Sequence, residues 1–152
     1  MDKSPFYNTM LAQVDAIISG ESDVIANMAN ISAILFNSFD KVNWAGFYRM
    51  IDGQLVLGPF QGQVACIRID VGRGVCGTAV STGSTQLVED VHKFAGHIAC
   101  DAASNSEVVV PVYHGDEIIA VLDIDSTEYA YFDEQDVQGL QKIVERLQQT
   151  FI

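Results

Sequence analysis

Apolar side chains recur at helical spacing over the first forty positions of the chain. In "SPFYNTMLAQVDAIISG" the stripe is Tyr7, Leu11, Val14 and Ile18, with Pro5 accommodated in a first turn and Gly20 as the stop. A second stripe, Val24, Met28, Ile31, Leu35 and Phe39, follows Ser22, the expected cap. From Val42 the period becomes two. "NWAGFYRMIDGQLVLGPF" reads as strand, Asp52-Gly53 turn and strand, because Asp-Gly tolerates the positive φ of a tight hairpin turn. Alternation puts Trp44, Gly46 and Tyr48 on one face of the first of these strands. Further strands are expected over 64–69 and 86–88, with a short helix after Gly74 between them. "EVVVPVYHGDEIIAVLDID" is the clearest hairpin, and Val137, Leu140, Val144, Leu147 and Phe151 mark a closing helix that begins near Asp133.

This order predicts an α+β fold: an antiparallel sheet with the N- and C-terminal helices packed on one face and the other face free to hold a ligand pocket. A length of 152 residues with 49% hydrophobic side chains suits one domain over 1–152, large enough to bury a core without staples. Internal repeats and low-complexity tracts are absent from the sequence.

The last hairpin carries a sharper expectation. If Val108, Val110 and Val112 share the helix-covered face with Ile118, Ala120 and Leu122, a three-residue "HGD" loop pairs Tyr113 with Glu117. Glu107 then lies opposite Asp123 with Asp125 diagonal to it, and three carboxylates gather within roughly 5–8 Å on the pocket side. Unpaired buried carboxylates are costly, so such a cluster on an otherwise apolar strand pair points to a task beyond solvation of an edge.

Charge narrows the partners. Eight basic against twenty acidic residues give a net charge of −12, which repels phosphate backbones and anionic lipid surfaces, so neither nucleic acid nor membrane is expected as a partner. With no apolar run long enough for a signal-peptide core or a membrane span, a cytoplasmic location is expected. Three widely spaced cysteines, Cys66, Cys76 and Cys100, do not suit a static disulfide framework in a reducing compartment, and at least one thiol is expected to be free or reactive.

Two motifs weaken on inspection. "GRGVCG", residues 72–77, matches a dinucleotide fingerprint in letters, but it lies outside any βαβ unit and reads better as a turn entering a short helix. His97, Cys66, Cys76 and Cys100 could supply four zinc ligands, yet no Cys-x-x-Cys knuckle is present and the spacings match no common site, so no metal and no cofactor is expected. Cys76, among small residues in "GVCGTAV", reads as a packed thiol. Cys100 sits in the polar loop "GHIACDAASNSE" between His97 and Asp101. The acids near it raise a thiol's pKa, so activation of Cys100 would need the substrate, a helix terminus or a proton shared with a carboxylate. His92, His97 and His114 read as loop hydrogen-bonding groups.

"NWAGFY", "GPFQG", "ACIRI", "GVCGTA", "GHIACDAASNSE", "VPV" and "AVLDIDS", in this order from about Tyr7 to the final helix, resemble the free methionine-(R)-sulfoxide reductases, a family of stand-alone GAF domains. The resemblance implies a six-stranded antiparallel sheet in a homodimer that acts on free methionine-R-sulfoxide, with thioredoxin as reductant. It also implies that Cys100 is the catalytic thiol and Cys66 the resolving thiol, with Cys76 assisting recycling. Trp44 and Tyr48 would line the methyl pocket, and Glu107, Asp123 and Asp125 would hold the polar groups. The chain departs from the family pattern at Val64 and Ala95, where prolines are expected, which puts the rigidity of the two cysteine loops at issue.

The chemistry implied is attack of the Cys100 thiolate on the sulfoxide sulfur while Glu107, with Asp125, donates to the oxygen. Methionine leaves, and the resulting sulfenic acid condenses with Cys66 to a disulfide. Asp123 is assigned to the substrate's ammonium group, and Trp44 to its S-methyl group. The competing reading is a sensory GAF module that binds a small ligand without catalysis; a pure binder has no need of cysteines beside its pocket.

Overall fold

The computed structural model describes residues 1–97 and 103–152. Helix α1 (Ser4–Ile18) buries Tyr7, Met10, Val14 and Ile18, with Leu11 half-buried at the edge of the stripe. At 3.6 residues per turn, positions three and four apart both lie beside Tyr7, and Met10 takes the inner place. Helix α2 (Val24–Ser38) buries Met28, Ile31 and Leu35 as expected. Its cap is Asp23 rather than Ser22: the helix starts at Val24, and the Asp23 carboxylate accepts the Ala26 N–H at 2.9 Å.

Strands β1 (Val42–Ile51) and β2 (Gln54–Gly62) form the first hairpin, with φ of 51° at Asp52 and 80° at Gly53. Strand β3 is only Arg68–Ile69, shorter than the expected 64–69. The chain before it leaves the ladder as a loop that exposes Val64 and Ile67 and brings the Cys66 carbonyl under the Tyr48 hydroxyl, 3.0 Å away. Helix α3 (Gly74–Thr82), strand β4 (Gln86–Val88) and a 3₁₀ turn at Val91–Lys93 follow, then β5 (Ser106–His114), β6 (Glu117–Ser126) and α4 (Glu134–Gln148).

The six strands form one antiparallel sheet in the order β3-β2-β1-β6-β5-β4. Helices α1, α2 and α4 cover one face, where Phe47, Val108, Val110, Leu122 and Ile124 meet Val14, Ile31, Leu35 and Leu140. A capping box, Asp133 with Asp136, starts α4. Asp136 also accepts from the Tyr7 hydroxyl and the Lys3 ammonium, both at 2.6 Å, which ties α4 to α1. The opposite face is covered by α3: Val75, Cys76 and Ala79 pack with Trp44, Tyr48, Val109 and Val121. Among the described residues no helix is long and apolar enough to cross a membrane.

The β5–β6 register corrects the expectation. The loop is a two-residue turn, Gly115-Asp116, with His114 paired to Glu117 and Tyr113 to Ile118, and a bulge follows between Val112 and Tyr113. Glu107 therefore stands opposite Asp125, and Val109 opposite Asp123. The face assignment survives because the displacement is two residues, which preserves the parity of the side chains. Burial of one face sets that parity, whereas the turn and bulge set the pairing. At the turn end Ile119, not Ile118, packs against the helix-side cluster.

Candidate active site

The site is assembled from three sources: the pocket face of β1, the first turn of α3, and the loop-side ends of the β5–β6 pair. On β1, Trp44 and Tyr48 are buried and stack, with ring centroids 5.8 Å apart, and Phe60 of β2 stacks with Trp44 at 5.2 Å. Gly46 is required between them, since a Cβ there would collide with the Phe60 side chain. The Trp44 indole N–H donates to the Gln63 carbonyl at 3.1 Å, and the Tyr48 hydroxyl donates to that of Cys66. Both rings thus hold the β2–β3 loop as well as wall the cavity. At the start of α3, Gly74 adopts φ of 63° and donates its N–H to the Gly96 carbonyl at 3.0 Å, which draws the loop carrying His97 over the helix terminus.

Trp44, Tyr48, Cys76, Glu107, Asp123 and Asp125 all line one cavity. Six of the expected site residues are therefore brought together. Cys66 lies in the adjoining loop, where its neighbour Ala65 reaches the cavity wall; Cys66 is disulfide-bonded and Cys76 is a free thiol. Cys100 and Asp101 lie outside the described residues. The wall also contains Arg73, His97 and Ser104, which sequence reasoning did not assign to the pocket. Arg73 sat inside the discarded glycine motif, and His97 was read as a loop residue. The signal that could have found His97 was its place in the loop that leads to Cys100. His92 and His114 have other partners: His92 bonds the Asn105 side chain at 2.7 Å, and His114 packs edge-on against Phe151.

The carboxylates set the electrostatics. Glu107, Asp123 and Asp125 are 8%, 5% and 8% exposed, so water screens little of their mutual repulsion. An oxygen of Glu107, an oxygen of Asp123 and the Cys76 sulfur lie within 4.8 Å of one another. Burial, then the charges of Asp125, Cys76 and Glu107, push the Asp123 carboxyl well above its ordinary 3.8. Burial, then the Glu107 and Asp125 charges, push the Cys76 thiol up too, partly offset by its contact with Asp123. The Tyr48 phenol is raised by burial and by the same acids. The cavity is therefore a strongly proton-retaining, cation-seeking environment with an aromatic wall.

This has a consequence for stability. In the unfolded chain Asp123 ionises from about its ordinary 3.8 upward, but in the folded protein only at higher pH. Its favourable contribution is complete below the unfolded value and is lost as pH rises toward the folded one. Asp123→Asn should remove that loss. Without ligand, the variant is expected to melt at a higher temperature than the parent near pH 8, with the gap closing toward pH 4. A series of thermal melts across that range checks it.

An antiparallel sheet flanked by terminal helices, with a short helix on its other face, is the arrangement of a GAF domain, and the GAF domain model matches residues 27–150. The chain is 53% identical to the free methionine-R-sulfoxide reductase of Escherichia coli over 148 residues, 97% of this chain and 90% of that protein. The crystal structure of free methionine-R-sulfoxide reductase from Neisseria meningitidis in complex with its substrate superposes with a TM-score of 0.95 at 42% identity, covering 99% of this chain and 91% of the other. The fRMsr of Staphylococcus aureus in its reduced form gives 0.94 at 47%, covering 96% and 95%. The chain belongs to the free methionine-R-sulfoxide reductase family of GAF domain proteins.

Proposed function

We propose that the protein reduces free L-methionine-(R)-sulfoxide to methionine, using Cys100 as the nucleophile and Cys66 as the resolving thiol. The observation that carries the reading is the convergence of an aromatic wall, three buried carboxylates and a thiol on one cavity beside a disulfide-bonded Cys66. Trp44 offers its ring edge to the S-methyl group, since sulfur-bearing methyls pack well at the edges of rings. Asp123 receives the α-ammonium. A cation docking there favours the ionised form of Asp123, so the proton it holds in the empty cavity passes to its neighbours. Glu107, opposite Asp125 and diagonal to Asp123, then carries it to the sulfoxide oxygen.

The steps balance as follows. The Cys100 thiolate forms a bond to the sulfoxide sulfur, whose oxygen takes up a proton from Glu107. Transfer of that hydroxyl to the Cys100 sulfur releases methionine and leaves a sulfenic acid. The Cys66 thiol attacks the sulfenic sulfur, water leaves, and a disulfide forms. Thioredoxin, a dithiol reductant, then returns both thiols and is itself oxidised. The disulfide at Cys66 and the free, buried Cys76 support this division, with Cys76 assisting recycling. The exposed Ile17 and Ile25 on α1 and α2 support a homodimer, and a thiol cycle of this kind suits a reducing, cytoplasmic compartment.

The decisive experiment is turnover of free methionine-R-sulfoxide with a dithiol reductant, compared with the N-acetylated, C-amidated sulfoxide. Acetylation removes the ammonium charge and leaves buried acids without a partner, so kcat/KM on the capped substrate should fall by about 10³-fold or more. Comparable values on both would remove the carboxylates from substrate recognition.

A further inference from the structure

The Cys76 sulfur and one oxygen each from Glu107 and Asp123 form a second constellation inside the cavity. They come from three different elements, the first turn of α3, β5 and β6, and all three residues are buried. Their mutual separations are at most 4.8 Å. An independent feature points to a missing ligand: Asp123 is 5% exposed and lines the cavity, yet its Oδ1 has no hydrogen-bond partner. A buried carboxylate oxygen left without a donor is costly, and a cation removes that cost.

From this geometry we infer that the reduced cavity is also a binding site for one thiophilic divalent cation of the zinc class, held by Cys76 Sγ and by the carboxylates of Glu107 and Asp123. The donor set is one that zinc accepts, a thiolate with two carboxylates, and three protein ligands leave a fourth tetrahedral position for water. Tetrahedral coordination with Zn–S near 2.3 Å and Zn–O near 2.1 Å puts ligand atoms about 3.4–3.6 Å apart, so the three groups close by about 1.4 Å at most. Softness of the sulfur favours zinc, cobalt or cadmium over magnesium and calcium. This ligand set shares only Cys76 with the four residues named from the sequence, His97, Cys66, Cys76 and Cys100. Arg73 on the same wall is exposed and free to turn its charge toward solvent. Because Asp123 and Glu107 are also the groups assigned to the ammonium and the proton, the cation and the sulfoxide should exclude one another. That exclusion rests on the proposed function, whereas the cation site does not.

Cobalt(II) is the probe. In a Cys66→Ser, Cys100→Ser double variant the sole thiol is Cys76, so any sulfur-to-cobalt charge-transfer band in the near ultraviolet reports this site. The expected result is one equivalent of cobalt bound, a charge-transfer band and tetrahedral d–d absorption, with affinity at least about 10-fold weaker on adding Asp123→Asn. The absence of a charge-transfer band in the double variant overturns the site. Methionine sulfoxide should then bleach the band. A band unchanged by sulfoxide that calorimetry shows to bind overturns the exclusion. If calorimetry detects no sulfoxide binding, the reading of the cavity as a methionine sulfoxide site fails while the cation site stands.

Discussion

Cys100→Ser should abolish methionine formation, whereas Cys66→Ser should release about one equivalent of methionine per chain and then stall with thioredoxin. In the proposed cycle the two thiols act at different stages. A hydroxyl in place of the Cys100 sulfur can neither attack the sulfoxide sulfur at neutral pH nor hold the oxygen as a sulfenic acid, so turnover falls to background. Removing Cys66 leaves that first transfer intact. The sulfenic acid then lacks its resolving partner, and thioredoxin has no disulfide to attack. Rapid-quench measurement of methionine, with and without thioredoxin, separates burst from steady state. A Cys100→Ser variant with near-normal turnover would sink the mechanism, and a Cys66→Ser variant with a normal steady-state rate would remove Cys66 from the cycle. The hydrogen bond from the Tyr48 hydroxyl to the Cys66 carbonyl couples the pocket wall to the loop that carries the proposed resolving thiol.

Glu107→Gln should lower kcat by about 10²-fold or more with little change in KM, the usual range for loss of a positioned acid. Glutamine keeps the shape and a weak donor but has no transferable proton. Asp123→Asn is expected to act differently, raising KM more than it lowers kcat, because its proposed task is to hold the ammonium. The distinction follows from the register: Glu107 is paired with Asp125 at the end of β5 that receives the cysteine loop, while Asp123 stands two pairs further along, opposite Val109. Steady-state kinetics at saturating reductant decide the matter, and an unchanged kcat for Glu107→Gln would remove the acid assignment.

Much of this site was legible from pattern alone. Alternation along "NWAGFY" put Trp44 and Tyr48 on one face of their strand, alternation along "EVVVPV" and "AVLDIDS" put Glu107, Asp123 and Asp125 on the pocket side of the last hairpin, and the family resemblance joined the two sets. All five now line one cavity. Side-chain parity is a local property with a period of two, so it survives an error of two residues in pairing. The error itself arose at "HGD", where a loop read as three residues is a two-residue turn followed by a bulge. Both arrangements keep the valines on the helix side, and only the packing of the completed sheet selects between them.

What the sequence by itself determined was the set of elements, their inner and outer faces, and the family to which the chain belongs. Each is encoded in neighbours a few positions apart or in motifs read in order. What only the tertiary structure decided was proximity between distant segments: Cys76 from α3 against Glu107 and Asp123, Arg73 and His97 on the same wall, and the Tyr48 hydroxyl on the Cys66 carbonyl. The upward displacement of Asp123 belongs to this second group. It arises from burial and from charges that reach it across strands and from a helix, and no window of sequence contains all of them.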